Sequence, residues 1–222
     1  MVTTTIPSKT LTGPLDPDGH SEWIVHGPTK DKVINAPGYP QPVPKPKASS
    51  GTQPAYTIKP TPDMGLGVFA TRDIKMGELI FAERPLLVSP RSNIAIAMHS
   101  GSKIQRYDYK TQMAISMMEW ERTLEIAVGR MEPEDRNAFM ELANSHKDDG
   151  SGPILGIIRT NGFKVSNIFD GPKMRADENN AYSGVIKIGS RINHRYVHLA
   201  RSFFGFRTIF IRHAFLSAAC LT

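Results

Sequence analysis

Between Tyr56 and Val88 three short apolar stretches follow one another so closely that β-strands joined by tight turns are the natural way to connect them. Tyr56-Thr57-Ile58 alternates as a strand, and Gly65-Leu66-Gly67-Val68-Phe69-Ala70 reads as a turn entering a second one. A polar turn, Asp73 to Gly77, precedes a third strand over Glu78 to Glu83. Arg84-Pro85 interrupts it, Leu86-Leu87-Val88 continues it, and Ser89-Pro90 ends it.

The texture then changes period. Met113, Met117, Trp120, Leu124 and Val128 recur at steps of three and four, which puts one apolar stripe on a helix. A second helix is predicted to start at Pro133, where proline suits the first turn and Glu134 and Asp135 face the positive end of the dipole. His146 and Lys147 are placed in its last turn, and Asp148 to Pro153 ends it. The methionines are read as core filler rather than a ligand groove. Beyond Ile154 to Arg159 and Thr160-Asn161-Gly162-Phe163, Val185 to Ile188 alternates as a further strand and stops at Gly189-Ser190. Strands, a helical insertion and strands again make an α+β fold.

Residues 1–55 hold most of the prolines, with Pro37, Pro40, Pro42, Pro44 and Pro46 in near alternation. Such a segment forms neither helix nor central strand and is expected to be a disordered or extended leader, with at most a short ordered patch at Trp23-Ile24-Val25. It serves as a linker or as a ligand for an aromatic groove. The single cysteine, Cys220, excludes an internal disulfide and a cysteine-rich zinc site. The net charge of +6 owes much to Arg195, Arg201, Arg207 and Arg212 near the end, so it does not argue for nucleic acid. The first residues lack a signal-peptide pattern, and the apolar run Phe203 to Leu221 is broken by Arg207 and Arg212, so no membrane span is expected and the location is nuclear or cytoplasmic.

Taken alone, Gly65-Leu66-Gly67 is a weak signal, because a glycine pair between strands is usually a turn. It does allow a ligand close to the backbone. No helix-opening GxGxxG follows, which argues against a dinucleotide fold. Asn193-His194 alone is an ordinary polar pair. In order, the three runs say more. "GLGVFATRDIKMGELIFAE" (Gly65 to Glu83) resembles the opening motif of SET domains, "RTNGF" (Arg159 to Phe163) resembles the segment ahead of their second signature, and "SRINH" (Ser190 to His194) resembles the start of that signature.

The resemblance covers residues 56–194, with the helical insert at about 93–150, and is greatest to the branch that carries a MYND zinc finger after the first motif; this chain lacks that finger. It implies a SET-like β-fold of short strands and S-adenosylmethionine as cofactor. Gly65, Leu66, Gly67 and Val68 would line the cofactor site through their backbone, Asn161 would approach it from the insert, and Asn193 and His194 would hold the amino and adenine groups. Arg72 and Glu83 match the pattern and are assigned to the fold. No metal site is implied. The implied reaction is in-line methyl transfer to the lysine of a protein, histone or non-histone. A lysine of ordinary pKa near 10.4 must first lose its proton, which a dry channel favours. Holding the reactants in line supplies most of the rate gain.

After His194 the match ends. Arg195-Tyr196 stands where the family continues Ser-Cys, no Pro-Asn follows, and Tyr196 lies too early to take the place of the catalytic tyrosine. No catalytic residue is therefore assigned, and the C-terminal part of the domain is expected to be missing. Residues 195–222 are rich in Phe and Arg without a clear period, and two readings stand: a divergent natural element, or translated intron. Arg195-Tyr196-Val197 can be encoded by AGG-TAC-GTN, which contains a good splice-donor sequence. The chain is thus expected to be inactive as it stands, with a non-catalytic interaction module derived from a SET domain as the alternative.

Overall fold

The computed structural model describes residues 1–9, 15–46, 54–75, 78–91, 106–165 and 182–192, and the backbone of Leu216–Ala219. Nine strands are present among these: β1 (Val2–Ile6), β2 (Ser21–Val25), β3 (Tyr56–Pro60), β4 (Leu66–Ala70), β5 (Leu79–Glu83), β6 (Leu87–Pro90), β7 (Phe163–Val165), β8 (Tyr182–Val185) and β9 (Leu216–Ala219). The α-helices are α1 (Gly27–Ile34), α2 (Tyr109–Gly129), α3 (Pro133–Met140) and α4 (Pro153–Asn161), and a 3-10 turn spans Gly189–Arg191. The expected α+β character holds.

The main sheet runs β1-β2-β6-β8-β7, antiparallel throughout except for the parallel pair of β2 and β6. Every residue of β2 and β6 is buried, because the sheet is covered on both faces. Successive side chains take opposite sides. Ile24, Leu87 and Val185 join the helical core with Met117, Trp120, Leu124 and Val128 of α2, while Trp23, Val25, Val88 and Tyr182 form a second core on the other face.

The helix α2 carries the stripe read from its period, with Met113 packed at the margin, and Asp108 caps it by accepting from the Thr111 amide at 3.1 Å. Among the methionines, Met117 and Met131 are core, whereas Met64, Met118 and Met140 are exposed. The second predicted helix starts at Pro133 as expected but stops at Met140, short of His146 and Lys147. Polar side chains take over the backbone there: Asn144 Oδ1 accepts from the His146 amide at 2.8 Å, and Asp149 binds His146 Nδ1 at 2.7 Å and Arg159 at 2.6 Å. Such local bonds compete with helix continuation. Ile154 to Arg159, left without an element by the sequence reading, lies inside α4. The strand predicted over Val185 to Ile188 ends at Val185, because the following backbone turns to bond a side chain described below.

Residues 1–55 depart most from expectation. The leader is ordered over residues 1–9 and 15–46, where it supplies β1, β2 and α1 and fills the second core with Ile6, Trp23 and Val25. Half of the prolines that suggested disorder lie in 37–46, and that segment is itself strapped down. Val43 is buried with its amide on Asp18 Oδ2 at 2.8 Å, and the buried Arg84 donates to Gln41 O at 3.1 Å and Asp16 Oδ1 at 3.3 Å. Buried Glu22 on β2 accepts from Thr5 Oγ1 at 2.7 Å and from Arg130 Nε at 3.0 Å, tying the leader to the end of α2. Composition undervalued these strands because their partners, β6 and α2, lie far along the chain.

Among the described residues no helix is long and apolar enough to cross a membrane. Leu216–Ala219 pairs antiparallel with β5, so the backbone of the C-terminal segment enters the fold at that point.

Candidate functional site

The hairpin of β3 and β4 is closed by Thr61, whose amide donates to Gly65 O at 2.6 Å and whose hydroxyl accepts from the Met64 amide at 3.0 Å. Gly65 adopts a φ of +69°, the left-handed region that glycine enters at least cost. No heavy atom lies within 4 Å of where a Cβ would stand on Gly65, so Gly65→Ala meets strain but no clash. We expect it to cost about 1 kcal/mol, seen as a fall of roughly 2–4 °C in melting temperature. An unchanged melt would show that the turn tolerates the substitution by relaxing its φ.

Register decides which backbone groups of β4 are free. Antiparallel residues alternate between bonded and non-bonded pairs, and the Thr61–Gly65 bond places Lys59–Gly67 and Thr57–Phe69 in the bonded set. The amides and carbonyls of Leu66 and Val68 therefore point away from β3. Among the described residues no strand pairs with that edge. Gly67 between them is buried and brings no side chain.

What lies beside β4 is the 3-10 turn Gly189–Arg191, with Cα atoms within 8 Å. A third small core joins the two ends of the sequence signature: Ala55, Ile80 and Phe81 pack with Tyr56, Ile74, Ile188 and Ile192. The Tyr56 and Phe81 rings meet at 5.4 Å and a tilt of 58°. Glu83 Oε1 accepts from the amides of Ile188 at 2.8 Å and Gly189 at 2.9 Å, and Oε2 lies 3.1 Å from the Ile188 nitrogen. A Cβ on Gly189 would fall 2.1 Å from Ile186 Cδ1, so any side chain there would displace the end of Ile186.

Burial pushes the Glu83 carboxyl up to about 7, against the lowering effect of the amides it accepts from. Burial also raises the Tyr56 phenol, with the Glu83 charge adding to it. A carboxyl raised on folding contributes stability that is complete below its ordinary 4.5 and is lost as pH climbs through 7. We expect this group to cost the fold on the order of 2–3 kcal/mol between about pH 4.5 and pH 8, and Glu83→Gln to remove that slope. Urea midpoints across the range check it; a variant that keeps the full wild-type slope would place its origin elsewhere.

The remaining residues singled out by sequence fall as follows. Arg72 pairs with Glu78 through a two-point contact and donates to Asp73 O at 2.9 Å, which braces the turn ahead of β5; the pairing holds the Glu78 carboxyl down to about 2. Asn161 ends α4, buried, with its amide nitrogen donating to Ala143 O at 2.7 Å and Ile157 O at 2.8 Å. Both its hydrogens are committed inward, and a ligand could meet only Oδ1. Asn193 and His194 lie outside the described residues, one and two positions beyond Ile192. The sequence reading missed the bridge made by Glu83, since an acid closing an apolar strand looks like any solvent-facing strand end.

The glycine-lined edge offers backbone groups to a small polar ligand. Outward amides can bind a carboxylate and outward carbonyls an ammonium. Comparison with family models returns no match. A stretch of 38 residues is 58% identical to the SET domain-containing protein SmydA-8, isoform A, of Drosophila melanogaster; it covers 17% of this chain and 8% of that protein. The match supports a relationship to SET-domain proteins over that stretch.

Proposed function

We propose that this chain carries the cofactor-binding part of a SET-type, S-adenosylmethionine-dependent protein-lysine methyltransferase. The observation that carries the reading is the placement of β4, whose Leu66 and Val68 backbone pairs with no strand among the described residues, against the turn that precedes Asn193 and His194 in sequence. In it the backbone of Gly65, Leu66, Gly67 and Val68 holds the amino-acid end of the cofactor. Asn193 and His194 approach from the second segment, and Asn161 contributes through Oδ1. When bound, the cofactor supplies a methyl group on a sulfonium centre. Ile80, Phe81 and Ile188 belong to the small apolar core on which the two segments meet. The acceptor is the lysine of a protein, histone or non-histone, and the setting is nuclear or cytoplasmic.

Calorimetric titration of the full chain with S-adenosylmethionine tests this. Binding with a Kd below about 1 mM is expected, and Gly67→Leu should abolish it by filling the buried strand position. A wild-type chain that takes up no cofactor would overturn the reading.

A second reading, a non-catalytic interaction module derived from a SET domain, is favoured by the apolar side chains the hairpin leaves open: Ile58 (38% exposed), Met64 (54%), Leu66 (37%) and Phe69 (42%). Transfer of a labelled methyl group to lysine-rich protein would exclude this second reading.

A further inference from the structure

We propose that Glu83 is a positioning residue for the cofactor cleft: its carboxyl fixes how closely the 188–192 segment approaches the β3–β4 hairpin, acting through the amides of Ile188 and Gly189. The inference rests on the cofactor reading above and goes beyond it, since neither the motif nor the match assigns Glu83 more than a place in the fold.

Three observations carry it. Glu83 ends β5 and is the last residue of the first motif, yet among the described residues its side chain bonds the backbone of Ile188 and Gly189, more than a hundred positions later. The bonded turn is the structured piece nearest to Asn193, with Ile192 seated on the same small core as Ile80 and Phe81. Finally, the Gly189 amide stands 2.9 Å from Glu83 Oε1, in a turn whose Cα atoms lie within 8 Å of β4. Without the carboxyl, two amides at a half-buried turn lose their acceptor, and the turn must move toward water to regain one. Such a shift would move the turn away from β4.

Because Oε1 receives both amides at the shorter distances, a neutral side chain with one well-placed oxygen can do the same work. Glutamine has that oxygen. The ionised form is the one that burial opposes, so the joint closes best with Glu83 neutral. The groups facing this joint are Tyr56 from β3 and Lys187 from the turn segment. From α3, Glu134 pairs with Lys187 at 2.9 Å and also bears on Asp135, while Glu141, just past its end, pairs with Arg191 at 3.6 Å.

The test is titration of S-adenosylmethionine into the full chain, its Glu83→Ala variant and its Glu83→Gln variant, each at about pH 6 and pH 8. The expected result is affinity weakened about tenfold or more in Glu83→Ala and kept within about threefold in Glu83→Gln at the lower pH. Wild-type affinity should fall on going to the higher pH, and that of Glu83→Gln should fall less. Amide exchange at Ile188 and Gly189 should quicken in Glu83→Ala alone. Normal wild-type binding that Glu83→Ala leaves intact overturns this inference and spares the cofactor reading; no binding by wild type overturns both. If Glu83→Ala does not fold, the pH comparison of Glu83→Gln with wild type decides, and identical pH profiles count against the proposal.

Discussion

Deletion of residues 1–26 is expected to abolish cooperative unfolding rather than trim a dispensable leader. The cut removes β1 and β2, and with them Trp23, Ile24 and Val25, each 0% exposed, and Ile6 at 1%. Burying such a side chain stabilises by about 1.5–3 kcal/mol, so the four together contribute roughly 6–12 kcal/mol. That is comparable with the whole stability of an ordinary domain, about 5–15 kcal/mol. The deletion also strips β6 of its parallel neighbour and leaves an apolar strand edge open to aggregation. Arg130 loses Glu22 and Thr5, and Arg84 loses Asp16. The measurement is a urea or thermal melt followed by circular dichroism. A truncated chain that melts cooperatively within a few degrees of the full one would mean that β1 and β2 rest on the sheet without holding it.

The second large effect is expected from Glu121→Ala. Glu121 lies on α2, 7% exposed, and its two carboxylate oxygens accept from the Ile154 and Leu155 amides, each at 2.8 Å. These are among the first amides of α4, which have no acceptor within their own helix, and the carboxylate also faces the positive end of that helix. Bonds to a charged acceptor are worth about 1.5–3 kcal/mol each, so losing both should cost roughly 3–6 kcal/mol. Glu121→Gln keeps one oxygen and should lose about half. Gly152 belongs to the same arrangement, because a Cβ there would stand 2.2 Å from Glu121 Cδ. Gly152→Ala should therefore be destabilising in the wild type and much less so beside Glu121→Ala, a coupling that a double-mutant cycle reads directly. Additive costs would mean that the glycine is needed for its backbone and not for the space.

Both effects arise at contacts between parts of the chain that no local reading connects. The stripe on α2 was legible because burial repeats every turn, and the hairpin of β3 and β4 was legible because glycine and alternation mark its turn and strands. Pro133 announced the start of α3, but its end was not visible, since the residues after it are held by Asn144 and Asp149 bonding particular neighbours outside the helix. In the leader, prolines outweighed the β-branched and aromatic residues of β1 and β2, whose burial depends on a sheet completed by β6 and β8 far downstream.

For the site the division is similar. Sequence by itself determined the motif residues, their order and the glycines that keep the β4 backbone approachable, because those follow from residue type. Only the tertiary structure decided that Leu66 and Val68 present the unpaired groups, that Asn161 spends its amide inward, and that Glu83 reaches across to the turn before Asn193. Register, hydrogen-bond partners and the enclosure that raises a carboxyl are set by what lies nearby in space, and no short stretch of sequence contains its own neighbours.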